Sequence, residues 1–344
     1  MIMVEIIHFA ALAIFSFLLS TIFTGFLIRG LIIHKVMDIP NERSSHNVSV
    51  PRGGGITVLC AIVVGWLLDD ILINTLAVAD LVILSIAALL GVICFIDDMK
   101  GMSPYVKLFF QVAGVVSGIY LLFPEGGIFG RWFPISLDLL LTGIIWLWFI
   151  NLFNFMDGID GITGTEMLTL GLGMALLSGA GILNPSVLSP SLVIAAAALG
   201  FLVWNWSPAK IFMGDVGSIP IGYLIGWLLI SAAVQRDSAE YSIAAIIILP
   251  GYYLADSTFT VVFRILKGEN ILLAHRQHFY QKAVDRGISH GTVCYGIAAV
   301  NLFLLITAWL LTTTYPFIAM LIGSLLVGFV LLWMRGLLYK ICRF

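Results

Sequence analysis

The sequence predicts an all-α, polytopic membrane helix bundle of about eleven spans, on three observations. Hydrophobic residues make up 60% of the 344 and charged residues only 10%, and the mean hydropathy is +1.08, far outside the range of soluble globular domains. The apolar residues are gathered into runs near the roughly 20 residues that a bilayer-spanning helix needs. All but two of the 17 Lys and Arg residues fall on one side of the topology those runs define.

In chain order the runs lie near 6–28, 54–69, 78–96, 105–123, 136–153, 161–182, 190–204, 217–234, 240–263, 291–312 and 315–334. The first is not preceded by a basic residue and ends at Arg29, so it reads as a retained helix rather than a signal peptide. The runs at 54–69 and 190–204 are short, which makes them the expected places for a tilted or broken helix, and ten spans would then replace eleven. With an odd count the termini lie on opposite sides. Only Arg131 and Arg236 fall on the face opposite the other basic residues, so the rule that cytoplasmic loops are basic puts the C-terminus in the cytoplasm and the N-terminus outside.

The net charge of −2 is uninformative with charges so unevenly placed, and no Lys/Arg-rich block suggests nucleic acid. Cys60, Cys94, Cys294 and Cys342 share no close spacing, so they indicate neither a metal knuckle nor a disulfide framework. No repeat or soluble insertion divides the chain, which reads as a single membrane domain over 1–344.

Five polar clusters interrupt the apolar sequence, all on the basic face. Carboxylates cost several kcal/mol to bring near hydrocarbon unless paired or wet, so each such acid is a functional hypothesis. The first cluster, Val50-Pro-Arg-Gly-Gly-Gly55, is a turn-forming run whose Arg52 can pair with phosphate, or simply a flexible turn before the second helix. In the second, Asp97 and Asp98 close the third helix ahead of Lys100, Ser103-Pro104 and Lys107. Adjacent acids repel, and both can face one pocket only at a helix end; a solvated interfacial pair is the plainer reading. The third cluster spaces Asn154, Asp157 and Asp160 at i, i+3, i+6, one face if helical, a row suited to oxygen ligation. The fourth runs from Asn205 to Ser218 and sets Asp215 among small residues before a helix. Its following amides could receive phosphate oxygens, Asp215 or Ser218 could cap the helix, and Phe212 could offer an aromatic face to a base or sugar. The last runs from Arg264 to His290 and carries His275 and His278, which share a face if helical; phosphate donors fit better than zinc, since structural zinc spacing is absent.

Carboxylates, amides, two histidines and several Lys/Arg on one membrane face suit Mg²⁺ and phosphate. Mg²⁺ takes oxygen ligands, often one or two carboxylates plus substrate phosphates, and phosphoryl transfer asks mainly for positioning and electrostatics.

Four stretches then carry a resemblance: Asp97-Asp98-x-Lys100 with Ser103-Pro104-x-x-Lys107, Asn154-Phe-Met-Asp157-Gly-Ile-Asp160-Gly, Phe212-Met-Gly-Asp215-Val-Gly-Ser218 and His275-x-x-His278. In this order they resemble the polyprenyl-phosphate N-acetylhexosamine-1-phosphate transferases, glycosyltransferase family 4. The resemblance implies ten or eleven helices, a cytoplasmic active site in the inner membrane, and transfer of sugar-1-phosphate from a UDP-N-acetylhexosamine to undecaprenyl phosphate with release of UMP. It implies Mg²⁺, with Mn²⁺ as a substitute, held by Asn154 and Asp215. Asp97, Asp98, Asp157, His275 and His278 become the catalytic candidates, with Asp97 and Asp98 at the lipid-phosphate end and the histidines on the diphosphate side. Arg52, Lys100, Lys107, Asp160, Asn205, Phe212 and Arg276 become the substrate-binding candidates, Phe212 and Asp160 toward the nucleoside. A phosphate monoester is largely dianionic at pH 7, so positioning ranks ahead of proton abstraction.

The loop lacks the consecutive histidines typical of muramoyl-pentapeptide transferases, and its Ala274-His-Arg-Gln-His278-Phe-Tyr-Gln281 stretch looks most like enzymes that begin O-antigen or other surface polysaccharides. Membrane lipids and a second copy of the chain are the further partners expected. A polytopic transporter using the same acids and histidines as an ion or proton path is the alternative, with Asp256 inside the ninth run its main support. CDP-alcohol phosphotransferases and intramembrane aspartyl proteases match only in part, since Ile-Thr-Gly follows Gly161 and Phe212-Met213 precede Gly214.

Overall fold

A computed structural model describes residues 2–40, 48–73, 77–123, 126–130, 132–234, 239–270 and 275–337. Arg43, Arg131, Arg236, Ala274, Lys340, Cys342 and Arg343 lie outside the described residues. The chain folds as α1 (Ile2–Ile33), β1 (Met37–Asp38), β2 (Val50–Pro51), α2 (Gly55–Leu72), α3 (Val78–Lys100), α4 (Pro104–Leu122), α5 (Ile135–Phe155) and α6 (Ile162–Gly179). After a 3-10 turn at Pro185–Val187 come α7 (Leu188–Asn205), α8 (Asp215–Ala233), α9 (Ala239–Ile248), α10 (Gly251–Leu266), α11 (Phe279–Asp285), α12 (His290–Leu311) and α13 (Pro316–Arg335).

Among the described residues nine helices are long and apolar enough to cross a bilayer, or ten if the bent pair α9–α10 is one span. The protein is therefore a multi-pass, all-α membrane protein. The short runs at 54–69 and 190–204 form continuous helices α2 and α7 of 18 residues each, so the expected break is not there. It falls instead inside the run at 240–263, where α9 and α10 meet at 69°. Pro250 at that corner has no amide to donate to the preceding turn, which ends a helix while leaving the run apolar. The run at 161–182 becomes α6, which buries Glu166 with Asn301 Nδ2 on its Oε2 at 2.7 Å. A buried acid inside helical sequence is tolerated where a neighbouring helix supplies the donor.

Helix α8 is the axis of the bundle. Its most apolar window is 94% buried against 17% for α1, and it packs on α2, α3, α5 and α9. Bilayer helices gain little from burying apolar side chains against one another, so close approach and interhelical hydrogen bonds hold them. The α5–α8 seam shows both. Trp146 stacks on Tyr223 at 4.7 Å and donates its Nε1 to the Tyr223 carbonyl at 2.9 Å.

At the α2–α8 crossing the backbones themselves touch. A Cβ added to Gly55 would lie 2.2 Å from Gly217 Cα, and one on Gly217 would lie 2.5 Å from Gly55 Cα. Just before this contact the chain zips onto the α8 approach: Phe212 N donates to Pro51 O, Gly54 N to Phe212 O and Gly55 N to Met213 O, all at 2.8–2.9 Å. Gly55→Ala should lower stability by about 1–3 kcal/mol, because backbone cannot yield to an inserted methyl. Gly30→Ala, where nothing lies within 4 Å of the new Cβ, should be neutral or slightly stabilising. Thermal unfolding in detergent checks the pair, and equal midpoints would contradict the contact.

Candidate active site

The zipper sets Arg52 over the start of α8. Arg52 Nη2 lies 2.9 Å from Asp215 Oδ1 and 3.2 Å from Asp98 Oδ1. Lys107, from the first turn of α4, places Nζ 2.9 Å from Asp215 Oδ2 and 2.8 Å from Asp97 Oδ2. Asp97 and Asp98 reach the same place because α3 ends there: Gly101, at φ +67°, turns the chain and Met102 N caps Asp97 Oδ1 at 2.6 Å. The three carboxylates can bring oxygens within 4.8 Å of one another. Two basic side chains face these three acids, leaving one negative charge uncompensated. Burial works against the Arg52 charge, but the Asp215, Asp98, Asp38 and Asp157 carboxylates outweigh it and hold the guanidinium above its ordinary range.

Beside this cluster opens a polar pocket of about 250 Å³, with Arg52 and Asp215 in its wall. Asn154, Asp157 and Asp160 line it too, but not as a helical row. Helix α5 ends at Phe155, and the turn through Gly158 and Gly161 (φ +79°) carries the two acids. At Gly158 a Cβ would stand 2.1 Å from the Tyr280 hydroxyl, so that turn is pressed against α11. Burial pushes the Asp157 carboxyl up to about 6, against the hydrogen bond that Thr163 Oγ1 donates at 2.5 Å. Such a group exchanges its proton near neutral pH. Asp160 goes the other way. Burial would raise it, but hydrogen bonds from His290, the Ala209 amide and Ser207 pull it below its ordinary range, with His290 Nδ1 3.3 Å from its Oδ2.

Asn205 clamps the walls together: its Oδ1 accepts from Gly161 N at 3.0 Å and its Nδ2 donates to Ile211 O at 2.8 Å. Phe212 stands in the wall beside Arg52. Neither Asp215 nor Ser218 caps α8. Gly214 (φ +75°) precedes the helix, its carbonyl takes the Gly217 and Ser218 amides, and Ser218 Oγ donates to Asn154 Oδ1 at 2.7 Å. Those two amides are thus engaged within the turn rather than presented to an anion.

Four candidates stand elsewhere. Arg276 Nη2 pairs with Asp285 Oδ1 at 2.8 Å. His275 and His278 do not share a helical face, because α11 starts only at Phe279; their rings stack at 5.0 Å. None of the three lines the pocket. Lys100 is exposed at the end of α3, outside the ion-paired cluster. The pocket instead includes Asp38, Gln281 and His290, none of which was a site candidate. His290 closed the last polar stretch, but its partner Asp160 lies 130 residues away, a pairing no spacing reveals.

Asp256, the transporter's main support, is an anchor. Its carboxylate accepts from Phe279 N at 3.0 Å, Tyr280 N at 3.1 Å and the Tyr252 hydroxyl at 3.0 Å, and faces His278 Nδ1 at 3.1 Å. These bonds fix the start of α11, from which Gln281 reaches the pocket. Asp256→Asn replaces an acceptor oxygen with a donor against this all-donor set. Amide exchange over Phe279–Asp285 should accelerate roughly tenfold or more; unchanged exchange would contradict the anchor.

Comparison with known proteins identifies the family. A sequence model described as glycosyl transferase family 4 matches residues 81–233, which include Asp97, Asp98, Asn154, Asp157, Asp160 and Asp215. The chain is 30% identical over 328 residues to a probable undecaprenyl-phosphate N-acetylglucosaminyl 1-phosphate transferase of Bacillus subtilis (strain 168), covering 92% of this chain and 88% of that one. It is 27% identical over 311 residues to a decaprenyl-phosphate N-acetylglucosaminephosphotransferase of Mycolicibacterium smegmatis, covering 77% and 75%. A phospho-N-acetylmuramoyl-pentapeptide-transferase of Lacticaseibacillus paracasei is 30% identical over 249 residues, covering 67% and 74%. With a relative so similar over nearly the whole of both chains, this membrane protein belongs to glycosyl transferase family 4, the polyprenyl-phosphate N-acetylhexosamine-1-phosphate transferases.

Proposed function

We propose that the protein transfers N-acetylhexosamine-1-phosphate from a UDP-sugar to undecaprenyl phosphate, releasing UMP and forming the lipid-diphosphate-linked first sugar of a surface polysaccharide of the O-antigen type. The supporting observation is the cluster itself: Asp97, Asp98 and Asp215 gathered with Arg52 and Lys107 at the edge of a polar pocket large enough for part of a nucleotide. The whole chain serves as one membrane-embedded transferase domain. By the distribution of basic residues, the N-terminus lies outside and the site faces the cytoplasm from the inner membrane.

In the reaction an oxygen of the lipid phosphate forms a bond to the phosphorus attached to the sugar, and the bond from that phosphorus to the bridging oxygen breaks, leaving the electron pair on UMP. Nothing is oxidised. Arg52 and Lys107 bind and orient phosphate oxygens while the surrounding acids keep both cations in place. The nucleoside falls toward Phe212, Asp160 and Asn205, where an aromatic face and fixed acceptors line the pocket. Asp157 can hold or release a proton beside the transferring group.

The donor set fits Mg²⁺, with Mn²⁺ as a substitute: Asp97, Asp98 and Asp215 offer only oxygens, they converge, and they retain uncompensated negative charge. Asp215 would hold the ion with Asp97 or Asp98, and Asn154 lies in the adjoining wall. A bound ion would offset the charge that builds up as two phosphoryl groups meet.

The purified protein with undecaprenyl phosphate, Mg²⁺ and a panel of UDP-N-acetylhexosamines should release UMP only when lipid and metal are both present. Release without lipid, or no release with any donor in the panel, would overturn the reading, and the productive donor identifies the sugar. Asp215→Asn should cut turnover by roughly 10²–10³ with folding intact; a near-normal kcat would remove Asp215 from the chemistry. Asp97→Asn should lower the rate while UDP-sugar binding stays unchanged, and weakened nucleotide affinity instead would move this acid to the donor side.

A further inference from the structure

Helices α6 and α12 pack side by side, and deep in their seam lies an acid that the site does not use. Glu166 is fully buried and Asn301 of α12 nearly so, and no cation among the described residues pairs with the acid. Asn301 donates from Nδ2 to Glu166 Oε2 at 2.7 Å and to Thr169 Oγ1 at 2.8 Å. Thr169 spends its own proton on the Thr165 carbonyl at 3.0 Å, so it accepts from Asn301, which fixes the way the amide points. Two atoms are then left over. Glu166 Oε1 and Asn301 Oδ1 are both buried and both without a partner. As a carboxylate oxygen and an amide oxygen each is an acceptor, and neither can serve the other.

One proton resolves both. On Glu166 Oε1 it turns that oxygen into a donor, on the same planar group whose Oε2 already receives the amide, while Oδ1 sits beside Nδ2 on the amide plane. Acid and amide then meet through two hydrogen bonds in one ring, and the carboxyl is neutral. A charged carboxylate would instead bury an anion against a single amide donor, with two acceptors unsatisfied in apolar surroundings.

The pair ends a seam that starts at the pocket. His290, Cys294 and Asn301 lie at i, i+4 and i+11, one stripe of α12 about 16 Å long. Along it His290 Nδ1 is 3.3 Å from Asp160 Oδ2, Cys294 donates from Sγ to the Asp160 carbonyl at 3.2 Å, and Asn301 holds Glu166. On α6, Glu166 lies one turn after Thr163, which donates to Asp157. The contact with Asn301 thus sets the register of α6 against α12 just behind the turn that carries both pocket acids.

We propose that Glu166 is held protonated and closes a two-bond acid–amide ring with Asn301, and that this neutral clasp is a positioning element for the pocket turn carrying Asp160. The positioning role rests on reading the protein as a transferase with its nucleotide in that pocket; the ring itself does not.

The test uses the full-length protein in detergent, with carbon-13 in the glutamate side-chain carboxyls so that aspartates do not contribute. Its infrared spectrum at neutral pH should show the carbonyl band of a protonated carboxylic acid, and Glu166→Gln should lose it. Gln can form the same ring, its Nε2 donating where the acid proton did, so Glu166→Gln should keep the thermal midpoint and hold both KM values within about twofold. Glu166→Ala and Asn301→Ala each leave half of the ring, and whichever folds should show a lower midpoint and a donor KM raised roughly tenfold with the acceptor KM unchanged. No band, or a midpoint that rises in Na⁺ over K⁺ at equal ionic strength and loses that response in Glu166→Gln, would mean an ionised acid completed by a cation and would overturn the ring. Folded Glu166→Gln with little UMP release would mean that the acid itself is needed, which overturns the neutral clasp. A lower midpoint with unchanged donor KM in the Ala variants would remove the positioning role. UMP release without the band would sink the ring and spare the transferase, whereas the band without UMP release from any donor would keep the ring and sink the transferase reading.

Discussion

The site depends on a place where two backbones touch. Gly55 and Gly217 meet with no room for a side chain on either, and the strand-like pairing of Pro51 through Gly55 with Phe212 and Met213 runs into that contact. Neither α2 nor α8 alone brings a cation to Asp215. Together they fix Arg52 against both Asp98 and Asp215, and Lys107 then closes the set from α4. A membrane protein has little hydrophobic drive to bring helices together, so a small-residue crossing of this kind carries structural weight that a larger apolar side chain would carry in water.

The acids at the site and at the start of α11 follow one rule: each has donors or cations placed for it, with a degree of compensation that differs by purpose. Asp256 is met by two amides, a hydroxyl and a histidine, and it anchors α11. Asp160 is similarly supplied, and its carboxyl is held below its ordinary range. The three-acid cluster has only two cations for three carboxylates, and Asp157 beside it has its proton affinity raised by burial. Residual negative charge and a labile proton sit together next to the pocket, where substrate phosphates and a divalent ion can complete the balance.

Much of this was legible in the sequence because hydropathy and charge asymmetry are local signals. The runs became helices, and the acids at 97, 98, 157, 160 and 215 proved to be neighbours, as their common face of the membrane suggested. What local signals could not show is direction within irregular backbone. The row Asn154, Asp157, Asp160 looked helical because its spacing suits a helix, yet Gly158 and Gly161 turn the chain after Phe155. The corner at Pro250 was hidden by the apolar residues on both sides of it, whereas the short runs that invited a break form whole helices. His290 escaped notice because its partner Asp160 lies 130 residues away, and Asp38 because its charge bears on Arg52 only once β1 pairs with β2. His275 and Arg276 attracted attention for their chemistry, but the folded chain sets them outside the pocket lining, with Arg276 paired to Asp285.

If the account is right, Arg52 and Asp215 form one electrostatic unit rather than two independently useful charges. A double-mutant cycle with Arg52→Gln and Asp215→Asn, read as thermal stability of the purified protein in detergent, measures that directly. The account predicts a coupling of about 0.5–3 kcal/mol, the double variant losing less than the two single losses added together. Losses that add within error would contradict it.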